Sequence, residues 1–264
     1  MKVTQKADWF TRYLYKKDFW VGGTPVMQGD SSWSSATQTI RFFNSSNFEF
    51  LIVYILEFNE PFAKQNDYES TMRYYLERLD VHPDFTLAIW PDVKPLFAIL
   101  DQIHFSLGLE TNDVLQQFEK HDPNLVGQAS HLKPLNRSFN DFFHMWARKH
   151  MKGFQNDIDA FIKIEENIHM FELKRPKESV DTWRPYLADT SNYTQFSNMC
   201  KQKSFSLTNI AYSELEPGTL KIFKDVSHNL KKLNYVSANL RIRPEDDLLL
   251  AVSSLRLKPE TSTR

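Results

Sequence analysis

The chain has a single cysteine, only seven glycines and no long apolar run. With Cys200 alone, an intrachain disulfide framework and a cysteine-built structural zinc site are excluded. Cys200 lies in NMCKQK, where no neighbour marks an activated thiol, and such a cysteine ordinarily packs as a small apolar residue. The scarcity of glycine argues against phosphate-cradling loops. Neither GxGxxG nor GxxxxGK[ST] occurs, so nucleotide binding of the Rossmann or P-loop type is not expected. The longest apolar run, FLIVYIL at 50–56, falls far short of the ~20 apolar residues of a membrane span. The first residues carry no apolar leader segment. The expectation is a soluble, cytoplasmic protein with no membrane partner. The eight histidines form no HxH or HxxxH pair, and GxSxG is missing, so neither a zinc site nor a serine-hydrolase triad is expected. Charge of one sign is lacking too: 32 basic residues face 33 acidic ones. Any surface that holds nucleic acid must then be local.

What is present suffices for a core. Hydrophobic residues make up 41% and aromatic residues 14% of 264 positions, enough for one large domain or two small ones. Residues 1–135 read as a mostly helical region, and 136–264 as a second unit with strands. In the first, Trp9, Phe10, Tyr13 and Leu14 share a helical face, as do Met72, Tyr75, Leu76 and Leu79. DVKPLFAILDQIHFSLG ends in the stop signal Gly108. TNDVLQQFEKH puts Val114, Leu115 and Phe118 on one face. NRSFNDFFHMWARKH does so with Phe139, Phe142, Phe143 and Trp146. NFEFLIVYILEF fits strand and helix equally well. From about residue 153 the texture changes: DAFIKI and HMFELK read as strands, TSNYTQFSNMCKQK as a helix and SFSLTNIAYSE as a strand. DVSHNLKKL reads as a short helix, and EDDLLLAVSSLRLK as helix or strand. The fold class expected is α+β with an α/β core and a mostly helical N-terminal half.

One stretch carries chemistry: DIDAFIKIEENIHMFELKRPK, residues 157–177. If 158–164 and 168–174 form a hairpin, Glu172 and Lys174 project from one face and Leu173 from the other. The turn brings Asp159 beside them. Two carboxylates supply hard oxygen ligands for Mg²⁺ or Mn²⁺, and an ammonium can orient water or offset charge on a phosphorane.

This stretch resembles the PD-(D/E)XK nuclease superfamily, with its restriction-endonuclease-like mixed sheet flanked by helices. The family pattern is an Asp entering one strand, Glu-x-Lys on the next, then a helix and another strand. The resemblance covers residues 137–213. It implies a metal-dependent nuclease in which Asp159 and Glu172 bind Mg²⁺ (or Mn²⁺) and Lys174 activates water or steadies the transition state. Gln195, on the following helix, would assist positioning. Asp141 and Glu49 are candidates for a further acidic residue from a preceding element. The chain departs from the pattern in lacking the proline before Asp159, and the helix expected over 137–150 leaves little room for a strand ahead of it. Substrate would be DNA, of foreign or mobile origin if the enzyme serves restriction or phage defence, with RNA as the alternative. Arg175, Lys177, Lys201 and Lys203 form a local cation cluster for backbone phosphates. Trp183, Arg184 and Tyr186 could stack on bases. A homodimer is implied where both strands are cut, and the first half would recognise substrate or a protein partner. The rival reading is a non-catalytic interaction protein in which the hairpin is scaffold.

A second segment, PDFTLAIWPDVK at 83–94, matches the literal motif but fails on geometry. FTLAIW reads as one continuous strand, which holds Asp84 and Asp92 more than about 20 Å apart, and Pro91 disfavours a central strand beyond it.

Overall fold

The structure is a computed structural model. It describes residues 20–21, 24–25, 37–45, 50–57, 85–90, 96–99, 111–128, 147–165, 167–213, 215–216, 218–229, 231–243 and 246–263. Its elements, in chain order, begin with β1 (Trp20–Val21), β2 (Thr24–Pro25), β3 (Thr37–Asn44), β4 (Leu51–Glu57), β5 (Phe85–Trp90) and β6 (Leu96–Ile99). After these come α1 (Thr111–His121), β7 (Phe154–Ile158), β8 (Ala160–Ile164), β9 (Asn167–Lys174) and α2 (Thr190–Gln202). The chain continues through β10 (Ser206–Tyr212), β11 (Thr219–Asn229), β12 (Lys232–Arg241), α3 (Leu248–Ser253) and β13 (Lys258–Ser262). The chain divides into two compact units, one of 1–22 with 158–264 and the other of 23–157. No helix among the described residues is long and apolar enough to cross a membrane.

The expected α+β fold with a mostly helical N-terminal half is corrected: the described residues are mostly β-sheet, arranged in two sheets with few helices. In the 23–157 unit the strand order is β2-β3-β4-β5-β6, with β7 also paired to β3. β3 escapes a periodicity reading because Ile40, Arg41, Phe42 and Phe43 are all buried. With both faces covered, the apolar–polar alternation that marks a half-buried strand disappears. LFAI, read as part of a helix, is β6 and pairs with β5. α1 is a helix as its spacing predicts, and Val114 and Phe118 pack with Phe43, Leu51 and Val53. β5 is the single strand expected for FTLAIW. The helices expected around residues 7–15 and 69–81 lie outside the described residues, as do Glu49, Asp141 and most of 137–150.

The other unit holds a seven-stranded mixed sheet in the order β1-β8-β9-β10-β11-β12-β13. β8 and β9 form an antiparallel hairpin. β9 and β10 are parallel, which requires a crossover, and α2 supplies it. DVSHNLKKL is not a helix: it forms the end of β11 and the start of β12. A bulge between Lys224 and Ser227 breaks the strand alternation there, and Asp225 takes a left-handed backbone at φ 53°.

The two faces of this sheet differ. On one, Ala160, Ile162, Phe171, Leu173, Ile210, Tyr212, Leu220 and Ile222 pack with Leu248 and with partly buried Leu249 and Val252 of α3. Each fully buried Leu or Ile there contributes about 1.5–3 kcal/mol. On the other, Trp183, Tyr193, Ala211, Phe223, Leu233 and Tyr235 form a second cluster. Glu172, Lys174, Asn209 and Lys221 share that second face, two residues from or directly opposite one another in register.

Candidate active site

β9 alternates as a central strand should. Phe171 and Leu173 enter the α3-side core, so Glu172 and Lys174 emerge together on the opposite face. Lys174 Nζ lies 2.8 Å from Glu172 Oε1. Asp159 occupies the one position between β7 and β8. The hairpin register pairs Ala160 with Phe171, and continuing it by one position sets Asp159 opposite Glu172. Asp159 Oδ2 accepts a hydrogen bond from the Leu173 backbone N–H at 2.6 Å. The carboxylate is thereby fixed to the very residue that separates Glu172 from Lys174. Asp159 and Glu172 are 8% and 5% exposed, so their charges are poorly solvated.

The electrostatics follow from that burial. Burial by itself would pull the Lys174 ammonium down, but its ion pair and hydrogen bond with Glu172, then the charges of Asp189 and Asp159, outweigh it. The net direction is upward, and Lys174 stays protonated. Three carboxylates thus act on this ammonium, with Arg175 and Lys177 lining the adjoining cavity. Tyr193 of α2 places its ring 5.3 Å from Lys174 Nζ, within cation–π range. On its open side Lys174 borders a cavity of about 340 Å³ shared with Arg175, Lys177, Trp183, Tyr186 and Asp189.

Of the residues singled out from the sequence, Asp159, Glu172 and Lys174 come together. Arg175 and Lys177 are exposed beside them. Lys201 and Lys203 lie at the far end of α2. Tyr193 is near the start of that helix, which puts Lys201 about 12 Å further along the axis, so the expected cation cluster divides in two. Gln195 is half-buried on α2, and among the described residues no hydrogen bond ties it to the three. Trp183 is 1% exposed and packs edge-on and tilted against Tyr186 and Phe223, which makes it a core residue and no stacking platform. Arg184 and Tyr186 remain exposed. A five-residue strand, β7, does precede Asp159, but it pairs with β3 and is not part of the seven-stranded sheet. Cys200 is buried, and burial pushes its thiol up to about 12, where it is inert at neutral pH.

Asp189 and Tyr193 were not legible as site residues, since only the fold of the 187–193 segment over β9 brings them to Lys174. Among the described residues, no group of three or more His, Cys, Asp and Glu side chains is disposed to hold a metal ion. The donors at hand are the Asp159 and Glu172 carboxylates. Their hard oxygens suit Mg²⁺ or Mn²⁺, which commonly take one or two carboxylates and complete their shell with water and phosphate. Compared with protein-family models, curated proteins and solved structures, the chain gives no match, so the reading of the site rests on its own geometry.

Proposed function

We propose that the Asp159–Glu172–Lys174 cluster is the active site of a metal-dependent nuclease that hydrolyses phosphodiester bonds, with DNA as substrate. The observation that carries this reading is the register of β8 and β9, which sets two buried carboxylates opposite each other with one charged lysine beside them. The order of strand, Glu-x-Lys strand, helix and parallel strand also supports the resemblance to PD-(D/E)XK nucleases. Asp159 and Glu172 would hold the cation, which when bound polarises the phosphate and lowers the pKa of an attacking water. Lys174 is held protonated by its carboxylate neighbours. It would orient the attacking water or offset the charge that develops on the phosphorane. Arg175 and Lys177, exposed at the rim of the adjoining cavity, would fix the backbone phosphates on either side.

A second reading has two observations in its favour. The Asp159–Leu173 bond and the Glu172–Lys174 pair are also what a purely structural tie between hairpin strands would look like. Cleavage of plasmid DNA, single-stranded DNA and single-stranded RNA, with Mg²⁺ or Mn²⁺ against EDTA, separates the two. The nuclease reading expects cutting that needs the metal and is lost in a folded Lys174→Ala protein. Cutting that survives this substitution, or a wild type inert on all three substrates with either metal, favours the tie. The preferred polymer decides between DNA and RNA.

A further inference from the structure

We infer that Asn209 is a positioning residue of this site, offering its side-chain oxygen as a third hard donor beside Asp159 and Glu172. The inference rests on the nuclease reading and names a donor which that reading lacks. β10 runs parallel to β9 with Asn209 opposite Glu172, and Asp159 faces Glu172 from the β8 side. Three oxygen-bearing side chains therefore make one row across three neighbouring chain segments, on one face, about 5 Å from strand to strand.

Asn209 is 4% exposed. Its Nδ2 donates to the Phe223 carbonyl on β11 at 3.1 Å. A carbonyl can only accept, so the amide nitrogen faces β11 and the amide oxygen takes the other arm of the side chain. That oxygen is buried and has no hydrogen-bond partner. An unmet buried acceptor costs about 1–3 kcal/mol. Ala211, Phe223 and Tyr193 nearby are part of an apolar cluster, in which an apolar side chain would avoid that cost. A carboxamide oxygen is a donor that divalent cations accept alongside carboxylates. Being neutral, it adds a ligand where three carboxylates already act on one ammonium, without adding to their repulsion.

The test is a titration of the intact chain with Mn²⁺, followed by calorimetry and by the electron paramagnetic resonance of free Mn²⁺, with a thermal melt of each variant. Asn209→Ala is expected to weaken Mn²⁺ by about tenfold or more. Asn209→Asp also loses the bond to Phe223 but restores an oxygen, and is expected to bind Mn²⁺ at least as tightly as wild type. A residue that merely held the Phe223 carbonyl would make both variants equally poor. Equal weakening of the two, or unchanged binding in Asn209→Ala, overturns the inference while Glu172→Gln still tests the cation site itself. Should Asn209→Ala not fold, a folded Asn209→Asp that binds more weakly than wild type overturns it. A wild type that takes up no Mn²⁺ overturns the inference and the metal-dependent reading together.

Discussion

Two lysine–glutamate pairs lie on the same face of the seven-stranded sheet, and they are built differently. Lys174 and Lys221 flank Ala211 in one transverse row of the register. Lys221 Nζ donates to Glu260 Oε2 at 2.9 Å and to the Trp183 carbonyl at 3.3 Å. Glu260 in turn accepts from Tyr235 Oη at 2.9 Å and from Ser237 Oγ at 2.7 Å. One cation meets one anion, and both glutamate oxygens are engaged. At Lys174 a single ammonium answers to Glu172, Asp189 and Asp159, and an unmet amide oxygen stands in the neighbouring row. A buried ion pair is thus no sign of function in itself. What separates the two is acceptor capacity: both oxygens of Glu260 are engaged, whereas beside Lys174 the Asn209 amide oxygen is left unmet.

Substitutions can break this contrast. The largest effect is expected from Lys174→Ala, with a fall of about 10²–10³ in the cleavage rate, the usual cost of removing one transition-state charge partner, read by plasmid nicking. Lys221→Ala should leave the cleavage rate near wild type and instead lower stability by about 1–3 kcal/mol, measured by urea unfolding. The fully buried case would cost more, but Glu260 is about a third exposed and water can replace part of what is lost.

Acid sharpens the comparison further. Burial pushes the Glu260 carboxyl up, but its bonds from Ser237, Lys221 and Tyr235 outweigh this and hold it below the usual 4.5. A depressed carboxyl contributes stability above its unfolded pKa, and that contribution is lost as pH falls through the folded value. Melts of wild type and Glu260→Gln should therefore differ above pH 4.5 and converge only as the pH falls below it through the folded value. The smallest effect belongs to Tyr235→Phe. It removes one of several bonds to Glu260 and should cost about 0.5–1.5 kcal/mol in the same unfolding assay, with no change in metal dependence.

The hairpin was legible because two short apolar runs, both buried at Ala160, Phe161 and Ile162 and at Met170, Phe171 and Leu173, are separated by the polar turn EEN, which makes two strands the simplest reading. The helix and strand that follow stand where their patterns put them, at Thr190–Gln202 and Ser206–Tyr212. The first half was not legible, and for a different reason. β3 is buried on both faces, and β5 and β6, further along the same sheet, are apolar runs of six and four residues. Short runs of that kind fit helix and strand alike until pairing decides. Within the site, Glu172 and Lys174 could be joined by their spacing of two, and Asp159 by the turn. Asn209, Asp189 and Tyr193 could not, since no spacing in the chain announces a parallel partner or a helix laid across it.

The parallel pairing of β9 with β10 also sets the order in which this site can be assembled. The hairpin closes locally and brings Asp159 to Glu172 early. Asn209 arrives only after α2 has formed, crossed over and docked, and such non-local closures are slow steps in folding. In a refolding experiment, the carboxylate pair should thus exist before its third partner. Tight metal uptake would then trail the formation of the hairpin, serving as a clock for the last stage of the fold.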